Sequence, residues 1–179
     1  MTKKKSLLKE KTITMKELDS SFKFEVAKEP GGKNIKRCFS CGTCTVTCPV
    51  FSVNDKYNPR KIIRMILLGL REEVLKSDFI WLCSGCYSCY ELCPRDVKIT
   101  NLMIAVRNIA VREGNIPMPM KSIVDILQKF GRLLEVSEFE NIVRLKKGIP
   151  ELNPTIPEVK KVLKKTDIEK VIRNSDKDD

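Results

Sequence analysis

Eight cysteines carry the reactive chemistry of this sequence. They stand as Cys38, Cys41, Cys44 and Cys48, then Cys83, Cys86, Cys89 and Cys93, and none lies outside these two groups of four. The first group reads Cys38-Phe-Ser-Cys41-Gly-Thr-Cys44-Thr-Val-Thr-Cys48-Pro49. The second reads Cys83-Ser-Gly-Cys86-Tyr-Ser-Cys89-Tyr-Glu-Leu-Cys93-Pro94. Both follow C-x2-C-x2-C-x3-C-P, the pattern of [4Fe–4S] ligation. A three-residue interval lets one short turn of backbone aim three thiolates at three corners of a cube, while N–H groups of the turn face the cluster sulfurs. The proline after the fourth cysteine turns the chain away. In two-cluster proteins that fourth cysteine reaches the other cluster. The expected ligand sets are therefore crossed: Cys38, Cys41, Cys44 and Cys93 hold one cluster, and Cys83, Cys86, Cys89 and Cys48 hold the second. Two [4Fe–4S] clusters are the expected cofactors, electron transfer is the expected chemistry, and no residue is expected to be catalytic.

Other readings of the same residues are weaker. Two C-x2-C units could staple a binding module around tetrahedral zinc. The third cysteine at the same interval and the proline after the fourth argue against it. Histidine is absent, which removes mixed Cys/His zinc sites and Rieske centres. Gly31-Gly32 is not a G-x-G-x-x-G nucleotide fingerprint and follows no clear strand. Gly42 and Gly85 suit a positive φ or a close backbone approach in the ligating turns. Arg37 and Arg95 flank the motifs, where a cation stabilises a reduced, more negative cluster. Phe39, Trp81, Tyr87 and Tyr90 are read as shields against water.

The elements that must position these thiols read as helices. Between the motifs, Asn58 suits an N-cap, Pro59 the first helical position and Gly69 the C-terminal stop. Ile62, Ile63, Ile66, Leu67 and Leu70 form the apolar stripe of that helix, read as core rather than as a partner groove. An amphipathic helix is expected around Met15 to Ala27, with Leu18, Phe22 and Val26 on one face, ended by Pro30-Gly31-Gly32. Ser77-Asp78 starts a segment that runs into the second motif. After Pro94, Thr100 or Asn101 is expected to cap a helix through Glu113, with Leu102, Val106, Ile109 and Ala110 on its face. Ser122 is expected to cap another with Ile123, Ile126, Leu127 and Phe130. A charged helix from about Glu158 to Arg173 comes last, its Lys160–Lys165 stretch read as a solvated face, before a disordered end at Ser175–Asp179. Period-two alternation is scarce, so the fold is expected to be almost all helical.

Composition agrees with a folded, basic chain. Of 179 residues, 42% are hydrophobic and only seven Phe, three Tyr and one Trp are aromatic, so the core is mostly aliphatic. The formal charge is +11, and two oxidised clusters with their thiolates lower it to roughly +7. The lysine-rich tail lacks the interleaved aromatics of a nucleic-acid surface, so no nucleic-acid partner is expected. Ile62–Leu70 is the longest apolar run and is far short of the roughly 20 residues a bilayer span needs. The first residues contain no apolar signal segment. A cytoplasmic location without a membrane span is expected.

The insert between Cys48 and Cys83 resembles the α-helical ferredoxin domain of succinate dehydrogenase and fumarate reductase iron–sulfur subunits. Three segments narrow that likeness: Cys41-Gly-Thr-Cys44 with Cys48-Pro-Val50, Tyr57-Asn-Pro-Arg-Lys-Ile-Ile-Arg64, and Trp81-Leu-Cys-Ser-Gly-Cys86 through Cys93-Pro-Arg95. With these, the chain resembles the C subunits of methanogen heterodisulfide reductases over residues 15 to 130. The resemblance implies a mainly α fold with helical extensions: residues 1–30 before, 31–115 as the α-helical ferredoxin domain, and 116–179 after. It also implies a role in methanogenesis as a non-catalytic electron-transfer subunit of a dihydromethanophenazine- or ferredoxin-type CoB–CoM heterodisulfide reductase. The implied partners are a flavin-bearing A subunit and a cysteine-rich B subunit that reduces the coenzyme M–coenzyme B disulfide. A nickel–iron hydrogenase is implied only indirectly. The alternative within this likeness is the iron–sulfur subunit of another flavin dehydrogenase, such as a fumarate reductase or hydroxy-acid oxidase. Those usually carry a plant-type [2Fe–2S] or cysteine-rich domain on the same chain, and neither pattern occurs here.

Overall fold

The computed structural model of the chain describes residues 13–166 and 168. Its described residues form helices and turns with no strand, so the molecule is mainly helical. Ten α-helices follow in order: α1 Phe22–Lys28, α2 Thr43–Val46, α3 Pro49–Val53, α4 Pro59–Leu68, α5 Arg71–Leu75, α6 Ser88–Glu91, α7 Ile99–Arg112, α8 Met118–Phe130, α9 Glu138–Lys146 and α10 Pro157–Lys165. The chain divides into two compact units, meeting within α7 between Val106 and Arg107.

The first unit is organised on α4. The Asn58 side chain accepts the Lys61 N–H at 3.0 Å, Pro59 occupies the first turn, and Gly69 closes the helix at φ +84°. Ile62, Ile63 and Ile66 are at most 1% exposed, each worth roughly 1.5–3 kcal/mol of burial. They belong to a helix that packs on α1, α2, α5 and a 3₁₀ turn at Ile35–Arg37. Phe22, Val26, Ile35, Val74, Ile80, Leu102 and Met103 complete this core. Arg71 clips α5 to α1 through two-pronged contacts with Glu25 at 3.0–3.3 Å.

The helix expected at Met15 to Ala27 is broken. A 3₁₀ turn covers Met15–Glu17, and α1 begins only at Phe22. Asp19 causes the interruption: its carboxylate accepts both the N–H and the hydroxyl of Ser21, and its own N–H donates to Gly69 O at 2.8 Å. Ser21 hydrogen bonds, hydroxyl first, hold the Asp19 carboxyl below its ordinary value. Phe22 and Val26 are buried as expected, while Leu18 lies outside the helix and half-buried.

Helix α7 also starts differently. Thr100 is no cap but sits in the first turn, 2% exposed; the turn before it is made by Lys98 at φ +59°. Its expected face, Leu102, Val106, Ile109 and Ala110, is buried throughout.

In the second unit α8 begins at Met118 rather than at Ser122. Pro119 in its first turn needs no donor there, and Ser122 instead returns its hydroxyl to Met118 O at 3.1 Å. Gly131 at φ +72° ends α8, and the Ile156 N–H donates to Phe130 O at 2.9 Å, beside the start of α10. A Ser137–Glu140 capping box opens α9. Asn141 then bridges to both the N–H and carbonyl of Leu152 at 2.9 and 3.0 Å. The last helix stops at Lys165; its expected continuation to Arg173 and the end at Ser175–Asp179 lie outside the described residues. No helix of the described residues is long and apolar enough to cross a membrane.

Candidate iron–sulfur centre

The two ligating turns are built alike. In the first, Ser40 and Gly42 take φ +62° and +91° before α2 begins at Thr43. In the second, Gly85 and Tyr87 take φ +68° and +64° before α6 begins at Ser88. The same two positions of each motif are left-handed, with the glycine at the fifth position in one and the third in the other. A non-glycine residue there stores roughly 1–2 kcal/mol of strain. The positive φ expected of both glycines is present. Close approach within the chain is not the reason for them, since a Cβ on Gly42 would meet only Arg60 Nη1 at 3.7 Å and one on Gly85 nothing within 4 Å.

Beyond the turns the motifs diverge. Cys48 is the N-cap of α3, and its sulfur accepts the Phe51 N–H at 3.5 Å. Cys93 leads into an irregular turn with Asp96 and Lys98 at positive φ, and its sulfur accepts the Val97 N–H at 3.4 Å. The Asn34 side chain anchors this turn by donating to Asp96 O at 2.8 Å. Arg37 pairs with Asp96 at 3.8 Å, and Lys98 does so at 2.7 Å.

Tertiary packing gathers the thiols across the motifs. One recess is lined by Cys38, Cys41, Cys44 and Cys93, with Arg60 and Arg95 among its walls. Cys48, from the first motif, lies within electrostatic reach of Cys89 together with Cys83 and Cys86. Helices α2 and α6 touch, and Cys44 and Cys89, one on each, are near enough to influence each other. Both are buried, whereas Cys41 and Cys86 stand in the open.

Burial divides the thiols chemically. It pushes Cys44 up to about 11, with neighbouring Cys89, Cys38 and Cys41 adding to the effect. Burial likewise raises Cys89, partly offset by the Thr100 hydroxyl. Cys41 is held below its ordinary value first by the Thr43 hydroxyl, at 3.3 Å, and Cys86 first by the Ser88 N–H. A metal takes the thiolate form, so the outer pair is poised for it and the inner pair gives up protons on binding. An all-sulfur donor set is soft and suits iron–sulfur clusters. Among the described residues no three ligating side chains converge on a single-ion position.

Comparison with known proteins decides the family. Residues 34–97 match the family model of the 4Fe-4S dicluster domain. The chain is 40% identical to an iron–sulfur C subunit of the CoB–CoM heterodisulfide reductase of Methanocaldococcus jannaschii, with 78% of each chain covered. It is 34% identical to the C subunit of the H2:CoB-CoM heterodisulfide, ferredoxin reductase of Methanothermobacter thermautotrophicus, with 93% of each chain covered. The chain belongs to the heterodisulfide reductase C-subunit family. Its cofactors are two [4Fe–4S] clusters, and it is an electron-transfer iron–sulfur subunit of an oxidoreductase complex, with partner subunits.

Within this member of the family several residues around the thiols carry weaker sequence signals than the cysteines. Thr43 and Ser88 each follow the second cysteine of a motif by two positions, a repeat of hydroxyl residues visible in the sequence. Arg60 reaches the recess from α4. Tyr57 is 1% exposed, and burial first, then the neighbouring Cys83, holds its phenol above the ordinary range, a proximity that no local pattern signals. The aromatic residues expected as shields serve less well, since Phe39 is 62% and Tyr87 47% exposed. Trp81 and Tyr90 are half-buried, and Lys98 covers the Tyr90 ring at 4.0 Å.

Proposed function

We propose that this chain relays electrons one at a time between a flavin-bearing A subunit and a B subunit that reduces the coenzyme M–coenzyme B disulfide. The observation that carries the reading is the pairing of two thiol groups, each with an exposed outer cysteine (Cys41, Cys86) and a buried inner one (Cys44, Cys89) on touching helices. Each cluster, when bound, supplies one reversible one-electron carrier. The chain's own residues hold the carriers, exclude water from the inner edges and leave the outer edges open to partners. The names of the relatives, which refer to CoB–CoM heterodisulfide, ferredoxin and H2, support the partner assignment and a place in methanogenesis. In this reading all eight thiols serve as ligands and histidine is absent, which leaves substrate chemistry to the partner subunits. A hydrogenase would then act only through the A subunit.

The ligand sets proposed are Cys38, Cys41, Cys44 and Cys93 for one cluster, and Cys48, Cys83, Cys86 and Cys89 for the other. The common recess of the first set and the proximity of Cys48 to Cys89 support the crossing. Cys48→Ser tests it. The EPR signal of the cluster tied to Cys83–Cys89 is expected to change, and disturbance confined to the cluster of Cys38–Cys44 would refute the crossing. The relay itself is tested by stopped-flow absorbance with purified partner subunits. The flavin subunit is expected to bleach the cluster absorbance of this chain, and the B subunit with disulfide to restore it. No response to either partner would overturn the relay.

A further inference from the structure

The two ligating turns are alike in backbone and unlike in what surrounds them. Lys36 and Arg37 precede Cys38, where Trp81 and Leu82 precede Cys83. Arg95 follows Cys93-Pro94, where Val50 follows Cys48-Pro49. The Asn34 side chain donates to Asp96 O at 2.8 Å and so keeps the Arg95 turn beside Arg37. From α4, Arg60 lies over the first turn, its Nη1 3.7 Å from where a Cβ on Gly42 would stand. Adjoining recesses share these residues. Arg60 and Arg95 line the thiol recess, Lys36, Arg37 and Arg95 surround Phe39, and Ser40 lines a third with Arg60, Lys61 and Arg64. A fourth, lined by Arg37, Pro94 and Arg95, contains Asp96, the one carboxylate lining any of them. Asp96 is already engaged by Arg37 at 3.8 Å and Lys98 at 2.7 Å. The cations Lys36, Arg37, Arg60, Lys61, Arg64 and Arg95 are all exposed. Arg60, Lys61, Arg64 and Arg95 have no carboxylate partner among the described residues.

Single exposed cations are ordinary on a protein surface, but a cluster around one of two matched turns has a cause. Balancing a cofactor accounts for part of it. An oxidised cluster with its four thiolates brings about −2, which Arg60 and Arg95 at the recess offset. Lys36, Lys61 and Arg64 do not line the thiol recess, so the rim stays positive. A membrane surface fits it poorly. The isoleucines of α4 are at most 1% exposed, which leaves no apolar face to insert beside the cations. Nucleic acid fits poorly too, since Phe39 is the one aromatic residue lining these recesses. We propose that this rim is the docking surface for an acidic face of a protein partner, whose Asp and Glu side chains meet Lys36, Arg37, Arg60, Lys61, Arg64 and Arg95 around the exposed Cys41. The second motif carries a different surface. Leu82, Tyr87 and Leu92 are 37%, 47% and 54% exposed there, and Asp78 and Glu91 are the charged residues between Ser77 and Pro94. The two sites therefore suit different partners, one steered by charge and one held by apolar contact.

The proposal rests on the relay reading only in taking that partner for an electron partner. The test uses the complex isolated from its native cells through a tag on the full-length, cluster-loaded chain. A carbodiimide then joins lysine amines to carboxylates in contact with them. Peptide mass spectrometry is expected to find Lys36 and Lys61 linked to Asp or Glu of one partner subunit. No link from either lysine, in a complex whose subunits stay together, would overturn the proposal. Lys61→Glu with Arg64→Glu is next compared with Lys161→Glu with Lys164→Glu on α10, which changes the net charge equally at another place. The rim pair is expected to slow association with the linked subunit about tenfold at low ionic strength and to flatten its dependence on salt. The α10 pair is expected to leave both near wild type. Equal slowing by the two pairs, or slowing by neither, would overturn local docking. Rim-dependent binding to duplex DNA or to phosphatidylglycerol vesicles, without a lysine link to a subunit, would overturn it as well. A linked subunit that carries neither flavin nor the disulfide-reducing site refutes the relay reading and leaves the acidic docking surface standing.

Discussion

Glycines in this chain serve two separate physical purposes, and substitution tells them apart. Gly42 and Gly85 have positive φ and open space at the Cβ position. Gly42→Ala or Gly85→Ala therefore adds backbone strain of roughly 1–2 kcal/mol without a clash. A drop of about 2–4 °C in Tm per kcal/mol is expected, with iron content retained. Gly32 is the opposite case: its φ is not positive, yet a Cβ would lie 1.7 Å from Val26 O, the carbonyl near the end of α1. Gly32→Ala must move backbone, so its Tm is expected to fall well below that of Gly42→Ala in the same melting experiment. The motif made the need at Gly42 and Gly85 visible, because a ligating turn is a local structure. Nothing in the motif announced Gly32, since the atom it avoids belongs to the preceding helix.

At the scale of elements, α4 is where local and tertiary demands coincide. Asn58 Oδ1 receives the Lys61 N–H at 3.0 Å and the Thr45 hydroxyl at 2.9 Å, so one side chain starts α4 and ties it to α2. Asn58→Ala is expected to cost about 1–2 kcal/mol, more than an isolated cap of its kind, because a buried hydroxyl also loses its acceptor. Asn58→Asp is expected to recover most of that loss. Denaturant titrations of both variants, and of Asn58→Ala combined with Thr45→Val, check the claim. Full additivity in the double variant would mean that the two hydrogen bonds are independent and the tie to α2 absent. Asn58, Pro59, the isoleucine stripe and Gly69 were readable because each obeys a helix-end or periodicity rule. The starts of α1, α7 and α8 departed from expectation because Asp19, Thr100 and Ser122 direct their side chains to other partners.

For the whole molecule, the proposed relay predicts a carrier without a reaction of its own. The isolated, iron-replete chain is expected to take up electrons from dithionite and to show no heterodisulfide reduction with artificial donors. Metal analysis is expected to give about eight iron and eight sulfide per chain. Sustained turnover by the single chain would remove the relay model, and zinc in place of iron would remove the cofactor with it. The charge of +11 before cluster loading favours contact with acidic surfaces. Association is therefore expected to weaken as ionic strength rises and the Debye length shortens, measurable by titration calorimetry at two salt concentrations.

The sequence alone determined the chemistry: thiol spacing is a property of a short turn, and the turn is set by residues adjacent in the chain. It also determined α4 and the helical class, through caps and apolar periodicity. Only the tertiary structure decided which thiols stand near one another across the two motifs, because that follows from the packing of α2 against α6. It alone decided that Cys44 and Cys89 face inward while Cys41 and Cys86 face solvent. It alone buried Tyr57 in the neighbourhood of Cys83, 26 positions away in the sequence, for burial and proximity depend on neighbours that no local rule names.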